Sequence, residues 1–308
     1  MIMGCLRDYI GTDYATYVQI FDFIENININ SNIEIGFQFI MIFIKNLLND
    51  HRIMFAFMMI ISILFFYKGV IRSSEYPIFS TFIFFSIFYV EYLFNGIRQG
   101  LTMCIFLYSL KFYKENNIKK ILILSLIASS IHSSGIIIFL VYFLKDIYIS
   151  NVQKVSILII GIILCYINPF EKILIMIPID FIRNKLISYS ELDFYQSFTL
   201  INILQRVLIL VFLIVNSKYI SKNIKYIFNI YFLGWVVYFL FSFEPIIATR
   251  LNMFFRILEI ILFPNIIYNM KGKYKIFSFL LVVLWCSILL FSILKNPYNY
   301  PYKMINLI

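Results

Sequence analysis

IKKILILSLIASSIHSSGIIIFLVYFLKDIY, residues 118–148, is the stretch whose reading decides the fold. It is apolar over most of its length but interrupted by Ser129-Ser130-Ile131-His132-Ser133-Ser134-Gly135, so it is either one kinked helix or two half-helices. Charge placement arbitrates. The connectors 68–75, 111–120, 145–154, 218–225 and 271–275 are all basic and face the cytoplasm under the positive-inside rule. Both ends of the stretch then lie inside. This predicts a re-entrant helical hairpin whose arms, ~13 residues each, rise ~20 Å at 1.5 Å per residue and turn near His132 in the outer half of the membrane. Backbone that turns at such a depth needs protein or a water-filled cavity around it.

The rest of the chain extends the same reading. Mean hydropathy is +0.88, and only 14% of residues are charged. Apolar runs near the ~20 residues that cross ~30 Å of hydrocarbon recur throughout. The fold class is all-α, a polytopic integral membrane protein. Eight full spans are expected near 52–67, 76–94, 98–113, 154–170, 198–216, 226–243, 250–268 and 276–294, besides the hairpin around His132. No polar stretch is long enough for a separate soluble domain, so residues 1–308 read as one membrane domain. Its first 51 residues are then an extracytoplasmic N-terminal segment. Residues 1–30 hold no signal-peptide or spanning run, and an outside N-terminus without one leads to the expectation of a further helix upstream of Met1. Cys5, Cys104, Cys165 and Cys286 are scattered without metal-ligand spacing, and neither disulfides nor a zinc site is expected.

Lys and Arg are distributed differently. The five connectors hold fourteen of the 26 basic residues, thirteen Lys and Arg72, against Glu75, Glu115 and Asp146. The net charge of +10 is therefore an inner-face orienting signal, and nucleic acid is excluded as a partner. Seven of the eight Arg (Arg7, Arg52, Arg98, Arg183, Arg206, Arg250, Arg256) fall outside or within spans. Arg is the side chain whose planar fork grips phosphate with two parallel hydrogen bonds.

Five groups of ionisable residues collect toward the outer face: Arg7 with Gly11-Thr12-Asp13-Tyr14; Glu91 with Arg98 and Gln99; His132; Glu244 with Arg250; and Arg206 within a span. Ionisable residues at membrane depth usually face a pathway or cavity. Each also has a structural reading. Arg98 can anchor in headgroups, His132 can satisfy a helix break, Glu91 at helical spacing can neutralise Arg98, and Asp13 can be a turn residue. Arg256 and Glu259 at i,i+3 suit an ion pair, and His51 with Arg52 suits snorkelling at a span's start. Together the groups fit one chemistry better. Arg98 and Arg250 at outward helix starts would clamp a diphosphate, while Asp13, Glu91 or His132 takes a proton from a sugar hydroxyl. There is no DxD-like metal motif, Gly-rich nucleotide loop or Ser-His-Asp order, so no metal or other cofactor is expected.

The order Leu6-Arg7, Gly11-Thr12-Asp13-Tyr14 and Tyr17, then Glu34-Ile35-Gly36-Phe37, then Phe94-Asn95 with Arg98-Gln99, continues through Ala128, Ile131-His132-Ser133-Ser134, Arg250-Leu251, Phe254-Phe255 and Tyr300-Pro301-Tyr302. It resembles the EpsG family over nearly the whole chain, with Ile131 where that family commonly has Phe. EpsG proteins are Wzy-like polymerases of bacterial exopolysaccharide, capsule and O-antigen. The resemblance implies a multi-pass glycosyltransferase of the bacterial cytoplasmic (inner) membrane. It would join undecaprenyl-diphosphate-linked repeat units at the outer face, in the lipid bilayer beside other polysaccharide-assembly membrane proteins. Carried over by position, Arg98 and Arg250 would hold the diphosphate, Gln99 would orient it, and His132 or Asp13 would be base or acceptor-positioning group. Glu91 joins the catalytic candidates, and Arg7 and, from its depth in a span, Arg206 join the substrate-binding ones. A lipid-linked glycan flippase or transporter, or a glycan ligase, is the alternative; the flippase class would favour internal repeats, which the sequence lacks.

Overall fold

The computed structural model describes residues 1–29, 31–147, 149–167, 200–242, 245–299 and 301–304. Those residues are helical apart from loops and an isolated antiparallel bridge between Arg7 and Met304. A single helical turn, Ile2–Cys5, precedes α1 (Tyr14–Phe23) and α2 (Ile35–Leu48). Then follow α3 (His51–Ser73), α4 (Pro77–Phe84, continuing as a π-helix over Phe85–Asn95) and α5 (Ile97–Lys114). The hairpin comprises α6 (Ile118–Ile131), a 3-10 turn (Ser133–Ile136) and α7 (Ile137–Leu144). Next come α8 (Asn151–Ile167), α9 (Leu200–Val215), α10 (Lys225–Leu240), α11 (Pro245–Arg256), α12 (Glu259–Asn269) and α13 (Gly272–Leu294). Residue contacts group into two compact units, Met1–Leu144 with Phe263–Ile308, and Lys145–Leu262.

Helix starts follow capping chemistry. Asp50 accepts the Arg52 backbone N–H at 2.8 Å to open α3, Asn117 accepts that of Lys120 at 3.1 Å to open α6, and Pro77 occupies the first turn of α4, where its missing N–H costs nothing. Among the described residues, four helices are long and apolar enough to cross a membrane: His51–Ser73, Pro77–Asn95, Lys222–Leu240 and Gly272–Leu294. All four lie where spans are read from the sequence, and the protein is an integral membrane protein.

The eight uniform crossings need adjustment. The span expected over 250–268 is bent by 42° between Ile247–Arg256 and Glu259–Asn269. Arg256 closes one helix and Glu259 opens the next, each at the end whose dipole its charge complements. They form the expected ion pair, Nε to Oε1 at 2.9 Å, and the Tyr231 hydroxyl donates to Glu259 at 3.1 Å. α5 carries Arg98, Lys111 and Lys114, and is less apolar than the four spans. The expected spans 154–170 and 198–216 lie partly outside the described residues.

Of the two readings of residues 118–148, the half-helices are found. The Ser125 hydroxyl donates to the Gly135 carbonyl at 3.1 Å, ten residues on, and α7 packs back against α6, so the chain reverses at His132. The Tyr113 hydroxyl at the end of α5 holds the returning arm through the Ile138 carbonyl at 2.5 Å. Counting the 3-10 turn, that arm runs from Ser133 to Leu144, close to the expected ~13 residues, and ends just before the charged Lys145-Asp146.

Candidate functional site

Glu34, assigned no role from the sequence alone, organises the first unit's site. It caps α2 with extended backbone. Two residues on, Gly36 lies against the hairpin: a Cβ there would come within 2.4 Å of Ser130 Oγ and 2.7 Å of the Ser130 carbonyl oxygen. Only a residue without a side chain lets α2 approach this closely. That approach brings the Glu34 carboxylate to the hairpin tip, where Oε1 accepts the Ser133 backbone N–H at 2.8 Å. Its other oxygen accepts from Nη1 of Arg98, the second residue of α5. Burial disfavours the Glu34 charge, but Arg98, the Ser133 N–H and nearby His132 more than offset it, holding the carboxyl below the usual carboxylate range.

Arg98 also donates through Nε to the Tyr17 hydroxyl at 3.4 Å and lies over the rings of Phe37 and Tyr17, 5.6 and 5.9 Å from their centroids. Nη2 makes no hydrogen bond among the described residues, so one arm of the fork remains for a ligand. At the tip, His132 Nδ1 accepts the Ser134 backbone N–H at 3.3 Å and contacts the Ser134 hydroxyl. A neutral ring held this way carries its proton on Nε2. Gln99 is buried beside Arg98, with its carbonyl accepting the Thr102 hydroxyl at 2.8 Å.

The sequence spacing of Glu91 to Arg98 assumed α-helical winding. The π-helix over Phe85–Asn95, with the Gly96 N–H donating five residues back to the Glu91 carbonyl at 3.3 Å, breaks that register. Glu91 makes no ion pair with Arg98 and stands instead within reach of the Asp13 charge. Asp13 is set there by its loop. Gly11, at φ +108°, lies against Asn95 and the Phe94 carbonyl, and the Thr12 N–H donates to Asn95 Oδ1 at 2.9 Å. The C-terminal tail secures the loop from the other side: the Gly11 N–H donates to the Tyr298 carbonyl at 2.9 Å and the Asp8 N–H to the Lys303 carbonyl at 3.1 Å.

Arg7 is a different kind of cation. Only 2% exposed, it lies between the rings of Phe55 and Phe94, each centroid 4.8 Å away, with Nε and Nη1 lacking hydrogen bonds. Burial pulls its pKa down to about 10, still charged at neutral pH. Its guanidinium also lies 5.7 Å from the ring centroid of Tyr14, the residue after Asp13. His51 packs edge-on to Tyr14, Phe21 and Phe55 where snorkelling was expected.

In the second unit, Arg206 donates to Asn252 Oδ1 at 3.1 Å and to the Thr249 hydroxyl at 3.4 Å, with its guanidinium 4.7 Å from the Tyr238 ring centroid. It is thereby tied to the helix that carries Arg250. Arg250 is exposed and sits in the second turn of α11, because Pro245 starts the helix; the expectation that Arg250 opens it is corrected. Glu244 and Arg183 lie outside the described residues. The first unit thus brings together Arg98, Gln99 and His132 around Glu34, and Asp13 with Glu91, while Arg206 and Arg250 belong to the second.

A membrane-embedded helical protein with an Arg–Glu–His cluster and a nearby carboxylate pair is the class these features define. The EpsG family matches residues 1–304, and the chain belongs to that family, making it a membrane protein of exopolysaccharide biosynthesis. No curated protein and no solved structure matches it.

Proposed function

We propose that this protein is a polysaccharide polymerase, a membrane glycosyltransferase that joins undecaprenyl-diphosphate-linked oligosaccharide units at the outer face of the bacterial cytoplasmic membrane. The observation that carries the reading is the cluster at the hairpin tip, where Glu34 ties the guanidinium of Arg98 to the Ser133 backbone beside His132. In the reaction, a hydroxyl of the incoming unit attacks the anomeric carbon of the growing chain. A new C–O bond forms, the C–O bond to the diphosphate breaks, and the diphosphate leaves with the bonding electrons. Arg98 Nη2 suits the charge that develops on the leaving group, with His132 beside it, and Arg250 stays a substrate-binding candidate of the second unit. Gln99 belongs to the same end of the site. The hydroxyl proton goes to a carboxylate, Asp13 or Glu91; two carboxylates within electrostatic reach of each other suit a division into one acceptor and one supporting group. His132, with Nδ1 already occupied, fits the donor role better than that of base. Arg7, against Tyr14, and Arg206, bonded to Asn252 and Thr249, act by holding the Asp13 loop and α11 respectively.

Glycan chain-length analysis tests this in a deletion strain complemented with variants. Asp13→Asn or Glu91→Gln, whichever removes the base, should leave inserted protein and only single lipid-linked units, a loss of about 100-fold or more in polymer. Normal chain lengths in both variants would refute the assignment. Single units confined to the cytoplasmic face in the deletion strain would point to a flippase, and intact polymer left on its lipid would point to a ligase.

A further inference from the structure

At the Pro77 end of α4, opposite the Glu91 end, an open groove of about 300 Å³ lies between α4, α12 and α13. Its walls are two aromatic pairs, Tyr76 with Tyr268 and Phe79 with Phe279, each with ring centroids 5.0 Å apart. Lys275 stands at its rim, donating to the Tyr268 carbonyl at 3.3 Å, with two ammonium protons left over. All three helices carry polar groups at the rim and apolar ones about one turn deeper: Tyr76 then Phe79, Lys275 then Phe279, Tyr268 then Pro264. The Lys pattern puts this rim at the cytoplasmic surface, where residues 68–75 and 271–275 supply Lys68, Arg72, Lys271, Lys273 and Lys275 against Glu75 alone. Tyr rings at this level match the interfacial belt, and an apolar slot beneath a basic rim complements a molecule with an anionic head and a hydrocarbon tail.

We propose that the groove holds an anionic phospholipid of the inner leaflet, its phosphate at Lys275 and an acyl chain lying along the Phe79–Phe279 pair, Pro264 and Ile267. The site is separate from the candidate site at the hairpin tip and does not depend on the proposed reaction. Native mass spectrometry of the purified full chain, with dioleoylphosphatidylglycerol or dioleoylphosphatidylcholine added at equal mole fraction, tests it. Preferential retention of phosphatidylglycerol is expected. Lys275→Gln should weaken that retention about fivefold, the contribution of one lysine near an anionic surface. Ile276→Trp, at a groove position that is 64% exposed and so open to a larger side chain, should abolish it with every charge kept. Equal retention of the two lipids, or retention indifferent to both substitutions, would overturn the proposal. So would displacement of the lipid by excess inorganic phosphate, which would reduce the site to a lysine that binds free phosphate.

Discussion

Arg98 is the residue at which competing roles can be separated. Lysine in its place keeps the charge but loses the fork that serves Glu34, Tyr17 and the free Nη2 together. Arg98→Lys should therefore lower polymer yield roughly 100- to 1000-fold with the protein still inserted, whereas wild-type chain length would leave only a headgroup anchor. His132→Gln keeps a side-chain donor near the Nε2 position and removes titration. It should retain measurable activity that is flat over about pH 6–8, while a base would lose activity altogether. Glu34 gives a stability test. Its carboxyl titrates lower in the folded protein than in the unfolded chain, so its contribution is complete above the ordinary glutamate range and is lost as pH falls through the lower folded value. Glu34→Gln should thus be less stable than wild type near neutrality, by about 1.5–3 kcal/mol, and the gap should narrow as pH falls below the ordinary glutamate range. Thermal unfolding in detergent across that range reads it out. Arg98 and His132 were legible in the sequence as charges out of place in an apolar chain. Glu34 was not, because a lone carboxylate in a polar segment looks ordinary until the fold brings residue 133 beside it. The retrievable signal was stoichiometric: a half-buried Arg needs a counter-ion, and π winding removes Glu91 from that role.

Among elements, the hairpin and the N-terminal loop are each held by contacts that local sequence barely encodes. The Ser129–Gly135 break and the basic flanks announced a reversal at His132 and the length of the returning arm, but not the hold of Tyr113 at the end of α5 on the Ile138 carbonyl. The bend at Arg256–Glu259 was visible only as a charge pair, since the same i,i+3 spacing also fits an unbroken helix. The contact at Gly36 yields a prediction at this scale. Gly36→Ala places a methyl group into the Ser130 backbone, so α2 must withdraw from the tip at a cost of about 1–3 kcal/mol. Polymerisation should fall sharply while membrane insertion and helix content stay unchanged, as measured by fractionation and circular dichroism. An activity equal to wild type would mean that Glu34 reaches Ser133 without this close approach.

For the whole molecule, orientation is the property that ties the Lys pattern to the site. If residues 111–120 and 145–154 are both cytoplasmic, then Asn116→Cys and Ser150→Cys, each in a background lacking the four native cysteines, label from the same side. Labelling from opposite sides would turn residues 118–148 into a single crossing and remove His132 from the outer half. The tail that meets the N-terminal loop has a consequence in time as well as space. The Tyr302 hydroxyl donates to the Met3 carbonyl at 2.7 Å across 299 residues of chain. At roughly 5–20 residues per second, the ribosome delivers this strap about 15–60 s after the loop that it fastens. Until then, Asp13 rides on an unfastened loop in a half-inserted chain, so this late-translated stretch also acts as the latch that arms a loop made early, and a product terminated before residue 298 would enter the membrane disarmed.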